Sequence, residues 1–320
     1  MTPWTGVIAL LFAFCLDRGF GEPAARWHPV VWMGRYLGWA GKRIAPREVS
    51  PAPNWRAFRA GALAWCGGAV MVLLVACLLQ AAVLPHSGLR RVDEVVAGLL
   101  LGALLKPMLA WRMLHDEVLA VEMALDQSLE AGRLRLGRLV SRDAMQLGET
   151  EVRESAIESL AENLNDSVVA PVFWFIVAGL PGAALYRFAN TADAMWGYRG
   201  LRAGVDWEWA GKWAARADDV LSWLPARITA LLLAAVVGGL PLARLRRDAA
   251  LTPSPNSGWP MAAMALALGT RLSKPGLYAL NEEGQAPGPA HTRRALGLAV
   301  RAIAMLLVWT ALALFALRQE

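Results

Sequence analysis

The chain has 320 residues, of which 56% are hydrophobic and 18% are charged, and its net charge is +6. So many apolar side chains exclude an intrinsically disordered protein. Three cysteines (Cys15, Cys66 and Cys77) lie in apolar runs without metal-binding spacing, which excludes a disulfide-stapled scaffold. This composition is typical of either a helical soluble core or a set of membrane segments.

The longest uncharged run favours membrane segments. Residues 60–84 contain no charged side chain, and a helix of that length would extend about 37 Å, enough for a hydrocarbon layer of about 30 Å. Five further apolar runs lie at 3–16, 95–110, 168–186, 224–243 and 302–317. The sequence therefore predicts an all-α, polytopic helical membrane protein with a single domain over 1–320.

The distribution of Lys and Arg predicts the orientation. Residues 17–59 carry eight Lys and Arg but three acids, so this loop is expected in the cytoplasm and the N-terminus outside. Residues 111–167 and 244–301 are then cytoplasmic too. Basic loops beside anionic lipid account for the positive charge, and because no nucleic-acid-binding motif occurs, no nucleic-acid partner is expected.

Two of the apolar runs are predicted to be re-entrant. The run at 168–186 contains two prolines and two glycines, which is typical of a broken helix that lines a cavity. With 224–243 as the second re-entrant segment, about four true spans remain.

Amphipathic helices are predicted in the cytoplasmic region. Apolar residues recur at steps of three and four from Leu114 to Leu129, which indicates a helix with one apolar face, ended by Gly132 and Gly137. A second helix is expected to begin near Thr150, whose hydroxyl can cap it.

This second helix carries a row of carboxylates. Glu158, Glu162 and Asp166 are four residues apart and lie on one helical face. Such acids repel one another by a few tenths of a kcal/mol per pair, and a divalent cation such as Mg²⁺ would offset the repulsion. An exposed acidic face is the alternative, but the proximity of the apolar run at 168–186 favours a function.

Another polar cluster follows that run. Asn190 and Asp193 share a helix face, and Arg199 can pair with a phosphate or carboxylate. Asp218 and Asp219 then precede the next apolar run. Polar residues beside membrane segments are functional candidates by default, and anchoring at the membrane interface is the alternative.

Six separated blocks, which run through nearly the whole chain, resemble one protein family. They are Gly21-Glu22-Pro23 with His28-Pro29, Ser141-Arg142-Asp143, Glu158…Glu162-Asn163…Asp166, Asn190-Thr191…Asp193…Arg199, Asp218-Asp219…Arg227, and Ser254-Pro255-Asn256-Ser257-Gly258. In this order they resemble the CobD/CbiB family of cobalamin (vitamin B12) biosynthesis. Glu22 stands where that family usually has aspartate, which keeps the carboxylate.

The resemblance implies an inner-membrane enzyme, adenosylcobinamide-phosphate synthase, with its active face in the cytoplasm. Such a ligase joins the amine of (R)-1-aminopropan-2-ol, or of its O-phosphate, to the free propionate of adenosylcobyric acid. ATP and Mg²⁺ are the expected cofactors, a corrinoid is the substrate, and other cobalamin-pathway enzymes are candidate partners. Neither G-x-x-x-x-G-K-[ST] nor G-x-G-x-x-G occurs in the sequence, so the nucleotide site would be of another kind.

Roles for individual residues follow from the resemblance and this chemistry. Glu158, Glu162 and Asp166 are expected to hold Mg²⁺. The catalytic candidates are Glu162, with Asp193 or Asp218 as the base and His28 as a second candidate base. Substrate and phosphate binding is assigned to Arg142, Asp143, Asn163, Asn190, Arg199, Asp219, Arg227 and Asn256. The alternatives are an AmpE-like membrane regulatory protein and a non-catalytic membrane scaffold or transporter for corrinoids.

Overall fold

A computed structural model describes residues 1–49, 52–84, 91–140 and 143–316. The helices are α1 (Pro3–Phe20), α2 (Pro29–Ile44), α3 (Trp55–Val83), α4 (Arg91–Leu105), α5 (Trp111–Leu125), α6 (Leu129–Leu136), α7 (Glu149–Leu164), α8 (Ala170–Trp196), α9 (Lys212–Val236), α10 (Leu242–Ala249), α11 (Gly258–Leu268) and α12 (Pro289–Ala316). A 3₁₀ turn at Lys106–Met108 follows α4, and a π-helical turn at Asn165–Val169 follows α7. Two short antiparallel hairpins pair β1 (Leu201–Arg202) with β2 (Val205–Asp206), and β3 (Leu272–Lys274) with β4 (Tyr278–Leu280).

The chain forms two compact units. The first unit comprises the described parts of Met1–Leu109, Ala170–Leu221 and Leu314–Glu320, and the second comprises those of Ala110–Val169 and Ser222–Ala313. A single domain over 1–320 stays a prediction.

The helices confirm the predicted fold class. Six described helical stretches are long and apolar enough to cross a membrane: Pro3–Phe20, Trp55–Val83, Arg91–Leu125, Glu149–Trp196, Lys212–Val236 and Pro289–Ala316. Each contains one of the apolar runs or most of it. The last three begin well before their apolar runs, because the preceding charged residues continue the same helical stretch. The structure is thus that of an all-α, polytopic membrane protein.

In the first unit, α1 and α4 pack closely through small residues. A Cβ atom on Gly102 would lie only 2.6 Å from the carbonyl oxygen of Ala9. Glycine at this position therefore lets the two backbones approach, as is common between membrane helices, where small residues replace the hydrophobic effect as the basis of packing.

Helix α8 is broken where the sequence predicts a break. Ala178 and Gly179 have non-helical backbone angles, and Gly179 has a φ of 66°. The side-chain oxygen Oε1 of Gln80, on α3, accepts a hydrogen bond of 2.8 Å from the backbone N–H of Leu180. A broken helix at membrane depth needs such a partner, because lipid offers none. Re-entry of this segment stays a prediction.

The amphipathic region differs from the predicted single helix. Helix α5 ends at Leu125, and Leu129 is the first residue of α6. Ser128 caps α6 by accepting a hydrogen bond from the N–H of Ala131, so a cap within the apolar repeat divides the helix. Gly132 lies inside α6 against the side chain of Leu125, and the prediction that it ends the helix is wrong. Gly137 does stand at the end of α6.

Helix α7 is the central helix of the second unit. It begins at Glu149 with Gly148 as the N-cap, and Oε2 of Glu151 accepts the N–H of Gly148 at 2.6 Å. The prediction that Thr150 is the cap is therefore wrong. From Val152 to Ala161 every residue is buried, which places charged residues of this helix inside the unit.

Candidate functional site

The carboxylate row begins on the buried part of α7. Glu158 is 5% exposed, and Glu162 and Asp166 are half-buried. The alternative of an exposed acidic face therefore does not describe these residues. Burial of carboxylates requires compensation by a hydrogen bond, a cation or a bound ligand.

The π-helical turn displaces the last member of this row. Asp166 lies in the turn, whose i→i+5 hydrogen bonding places more residues in each turn and so breaks the spacing of four that an α-helix would give. Oδ1 of Asp166 accepts a hydrogen bond of 2.8 Å from Asn165. Oδ1 of Asn165 in turn accepts the hydroxyl of Thr229, on α9, at 3.0 Å. Two consecutive hydrogen bonds, through Asn165 to Thr229, thus hold Asp166 within the second unit.

The carboxylate oxygens of this row are suitable ligands for a magnesium ion only in part. Within the described ranges, no group of three or more His, Cys, Asp or Glu side chains is arranged so that it could hold a metal ion. Mg²⁺ is usually bound by one or two carboxylates together with waters and substrate phosphates. Glu158 and Glu162, one helical turn apart on α7, have that chemistry, and the set of three carboxylates stays a prediction.

Arg227 and Asn256, two of the predicted binding residues, lie together in the second unit. Nη1 of Arg227 donates to Oδ1 of Asn256 at 2.6 Å, and Nη2 donates to the carbonyl oxygen of Pro255 at 3.0 Å. The guanidinium lies 4.6 Å from the ring centre of Trp223 and 4.9 Å from that of Trp259. These contacts fix Arg227 at one wall of a pocket of about 720 Å³.

The predicted residues of the 190–219 region lie in the first unit. Asn190 and Asp193 are on α8, half-buried, as the shared helix face predicts. Asp218 and Asp219 are half-buried on α9, and Arg199 is exposed. The choice of Asp193 or Asp218 as base stays a prediction.

His28 belongs to a network of charged residues in the first unit. Its Nε2 lies 2.8 Å from Oε2 of Glu22. Nζ of Lys106 lies 3.0 Å from Oε1 of Glu22 and 3.3 Å from Oδ1 of Asp17. Asp17 is completely buried and Lys106 is 5% exposed. Pairing of this kind is what permits charges inside an apolar environment.

This network lowers the pKa of Glu22. Burial by itself raises the pKa of this carboxyl group, but the hydrogen bonds from His28 and Lys106 and the positive charge of Lys106 outweigh burial, so the pKa lies below its ordinary value. Glu22 is therefore held as the carboxylate.

Three predicted binding residues have local roles or lie outside the described ranges. Nδ2 of Asn163 donates to the carbonyl oxygen of Ser159 at 2.9 Å. Oδ1 of Asp143 accepts the N–H of Met145 at 2.9 Å, which is a loop-stabilising contact. Arg142 lies outside the residues that the structure describes.

Sequence reasoning did not single out two buried carboxylates of the second unit. Glu154 is completely buried; it accepts the N–H of Ser273 at 3.2 Å and the hydroxyl of the same residue at 2.5 Å, and lies 3.3 Å from Nε of Arg271. Glu122 accepts from Arg153 at 2.8 Å and from Thr292 at 2.6 Å. Their partners are distant in sequence, so no local pattern points to them.

Lys106 was recognisable from the sequence, because it interrupts the apolar run at 95–110. A charged residue within a membrane segment usually has a partner or a function, and here the partners are Asp17 and Glu22.

Comparison with known proteins identifies the family. The family model described as CobD/Cbib protein matches residues 10–306. A cobalamin biosynthesis protein CobD of Brucella suis is 37% identical over 324 residues, with 96% of this chain and 94% of the relative covered. The CobD of Chromobacterium violaceum is 39% identical over 312 residues, with 96% and 95% covered. A probable cobalamin biosynthesis protein CobD of Methanothermobacter thermautotrophicus is 38% identical over 283 residues, with 86% and 87% covered.

No solved structure matches the chain significantly. The family model nevertheless spans all six sequence blocks, from the polar residues that follow α1 to the Ser254–Gly258 loop. This chain belongs to the CobD/CbiB family of cobalamin biosynthesis proteins.

Proposed function

We propose that this protein is the amide-forming ligase that joins (R)-1-aminopropan-2-ol, or its O-phosphate, to adenosylcobyric acid with consumption of ATP. The observation that carries the proposal is the match of the whole region 10–306 to a family of cobalamin biosynthesis proteins. The buried and half-buried carboxylates of α7 support it, because an enzyme that handles ATP needs oxygen ligands for a divalent cation.

The proposed reaction has two steps. An oxygen of the substrate carboxylate attacks the γ-phosphorus of ATP, so that an acyl phosphate forms and ADP leaves. The amine nitrogen then attacks the carbonyl carbon, phosphate leaves with the electrons of the C–O bond, and the nitrogen loses a proton to a base. Asp193 and Asp218 are the candidates for that base, since general bases are commonly carboxylates with restricted solvent access.

Residues of α7 would provide the cation site. Glu158 and Glu162 would hold Mg²⁺ together with nucleotide phosphates, with Asp166 as a third candidate ligand. Bound magnesium supplies neutralisation of the charge that develops on the transferred phosphoryl group. The side chains of Arg199 and Arg227 would hold anionic substrate groups, for which a guanidinium has suitable planar geometry.

The proposed location is the inner membrane with the reactive face in the cytoplasm. ATP is a cytoplasmic substrate, and the loop at 17–59 carries the excess of Lys and Arg that marks the cytoplasmic side. Adenosylcobyric acid, the aminopropanol donor, the lipid bilayer and other enzymes of cobalamin synthesis are the proposed partners.

Corrinoid analysis of a strain that lacks the gene tests the proposal. The expected result is accumulation of cobyric acid, with cobalamin-dependent growth restored by added cobinamide. An unchanged corrinoid profile would contradict the proposal and favour the AmpE-like regulatory role. Loss of corrinoid uptake with normal intracellular synthesis would contradict it in favour of a transporter.

A further inference from the structure

The pocket beside Arg227 contains a second arginine that the family blocks do not include. Arg246, on α10, lines the same pocket of about 720 Å³ as Arg227. Its side chain is exposed and forms no hydrogen bond or ion pair with the part of the chain that the structure describes. All five of its N–H donors are therefore available to a ligand.

Arg227 plays a different part in this pocket. Three of its hydrogen bonds go to protein atoms: Nη1 donates to the carbonyl oxygen of Trp223 and to Asn256, and Nη2 donates to the carbonyl oxygen of Pro255. Most of its donors are thus used to hold the guanidinium in place. Arg227 supplies a fixed positive charge, whereas the N–H groups of Arg246 can donate hydrogen bonds to a ligand.

The remaining walls combine one further donor with apolar surface. Oγ of Ser254 accepts the N–H groups of Asn256 and Ser257, so its hydroxyl proton can be donated into the pocket. The indole rings of Trp223 and Trp259, with Leu242 and neighbouring alanines and prolines, form the apolar part. No aspartate or glutamate is among the described residues that line this pocket.

A pocket with two guanidinium groups, one hydroxyl donor and no lining acid is complementary to an anion. Its volume falls in the range of small-molecule sites, about 300–1,000 Å³, so it also accommodates the organic part of a ligand against the tryptophans. Arginine pairs with phosphate through two parallel hydrogen bonds, which gives both affinity and orientation.

We propose that this pocket binds the phosphate group of an organic phosphate ester, with Arg246 as the residue that contacts the phosphate. The proposed function, on which only the choice of ligand rests, offers two sources of this chemistry. One is ATP, for which the sequence contains no known phosphate-binding loop, and the other is aminopropanol O-phosphate.

Binding to the full-length protein, purified in detergent, tests this inference. The probes are a non-hydrolysable ATP analogue, aminopropanol O-phosphate and inorganic phosphate, each titrated into wild type and Arg246→Gln. Because Arg246→Gln removes a charge-assisted contact, the affinity for one of the two organic phosphates is expected to fall about tenfold or more. Which of the two is weakened identifies the source of the phosphate.

Arg247→Gln is the matched control. Arg247 is the next residue of α10 and, like Arg246, is exposed, but it pairs with Asp248 at 3.4 Å and does not line the pocket. Its loss therefore changes the net charge equally but should leave binding unchanged. Equal affinities of wild type and Arg246→Gln for both organic phosphates would overturn the inference. Equal weakening by both variants would also overturn it, because that result indicates non-specific attraction.

This test does not depend on turnover. If the pocket binds a phosphate ester through Arg246 but no amide is formed, the inference stands and the proposed function fails. If amide formation occurs and Arg246→Gln binds every probe as the wild type does, the proposed function stands and the inference fails.

Discussion

Oε2 of Glu22 lies 2.8 Å from Nε2 of His28, and Nδ1 of the same ring accepts the backbone N–H of Val30. Because Nδ1 accepts, the ring proton is on Nε2 and is donated to Glu22. Both nitrogens are therefore engaged, one as the cap of α2 and one as a partner of the carboxylate. His28 would have to leave these contacts to act as a base, so the catalytic role assigned to it stays a prediction.

The lowered pKa of Glu22 predicts a pH-dependent contribution to stability. A carboxyl group whose pKa is lowered by folding stabilises the folded state above its unfolded pKa, and this stabilisation is lost as pH falls through the folded value. Glu22→Gln should lower the free energy of unfolding at pH 7 by about 1–3 kcal/mol. The substitution should also reduce the loss of stability that wild type shows as the pH falls below about 4.5.

Thermal unfolding in detergent between pH 3 and 7 measures this effect. The exposed residue Glu282 provides the control variant Glu282→Gln, which should keep the wild-type profile. A Glu22→Gln protein with the same acid-induced decline as wild type would contradict the assignment.

Glu162→Gln is predicted to abolish cobinamide formation. The substitution keeps the size of the side chain but removes the charge that a divalent cation would need. Ile157→Val, on the same helix and fully buried, should cost about 0.5–1.5 kcal/mol of stability and leave activity near normal. Product analysis, together with the amount of protein inserted in the membrane, is the measurement. Normal activity of Glu162→Gln would remove this residue from the mechanism.

Glu154 is predicted to stabilise the folded protein. Glu154→Ala removes the hydrogen bonds to Ser273 and the ion pair with Arg271, and should destabilise the protein by about 2–3 kcal/mol. The exposed Glu48 gives the control Glu48→Ala, for which no measurable change is expected. Unfolding in denaturant compares the two, and equal stabilities would show that the buried contacts contribute nothing.

The re-entrant interpretation of 168–186 and 224–243 predicts that the β1–β2 hairpin is cytoplasmic. Ala203, exposed at the tip of this hairpin, is a suitable site for a single cysteine. Ala203 already carries a side chain at its own φ of 50°, whereas Gly204, with a φ of 79°, has none. A cysteine is therefore a smaller change at Ala203 than at Gly204. In a background without Cys15, Cys66 and Cys77, Ala203→Cys should resist an impermeant thiol reagent in intact cells. Ready labelling from outside would exclude the re-entrant arrangement.

The helical body was predictable because length and composition decide it. A run such as 60–84 lacks charge over enough residues to span a bilayer, and the structure places it in α3. The break in α8 was predictable for the same kind of reason, since prolines and glycines weaken a helix locally. The start of α7 at Gly148 was harder to predict, because glycine is only one of several residues that can serve as an N-cap.

The candidate site was only partly predictable. The spacing of Glu158 and Glu162 gave their shared face, but their burial depends on the packing of the whole second unit. The π-helical turn that holds Asp166 has no signature in the local sequence. The contact between Glu154 and Arg271 joins residues more than a hundred positions apart, which periodicity cannot reveal.

The central claim is tested most directly by reconstitution. Purified protein in lipid vesicles receives adenosylcobyric acid, ATP, Mg²⁺ and either aminopropanol or its O-phosphate, and the corrinoids are analysed by mass spectrometry. We predict adenosylcobinamide or its phosphate in proportion to ADP released, with no product when ATP is omitted. Folded, inserted protein that yields neither product with either amine would contradict the account.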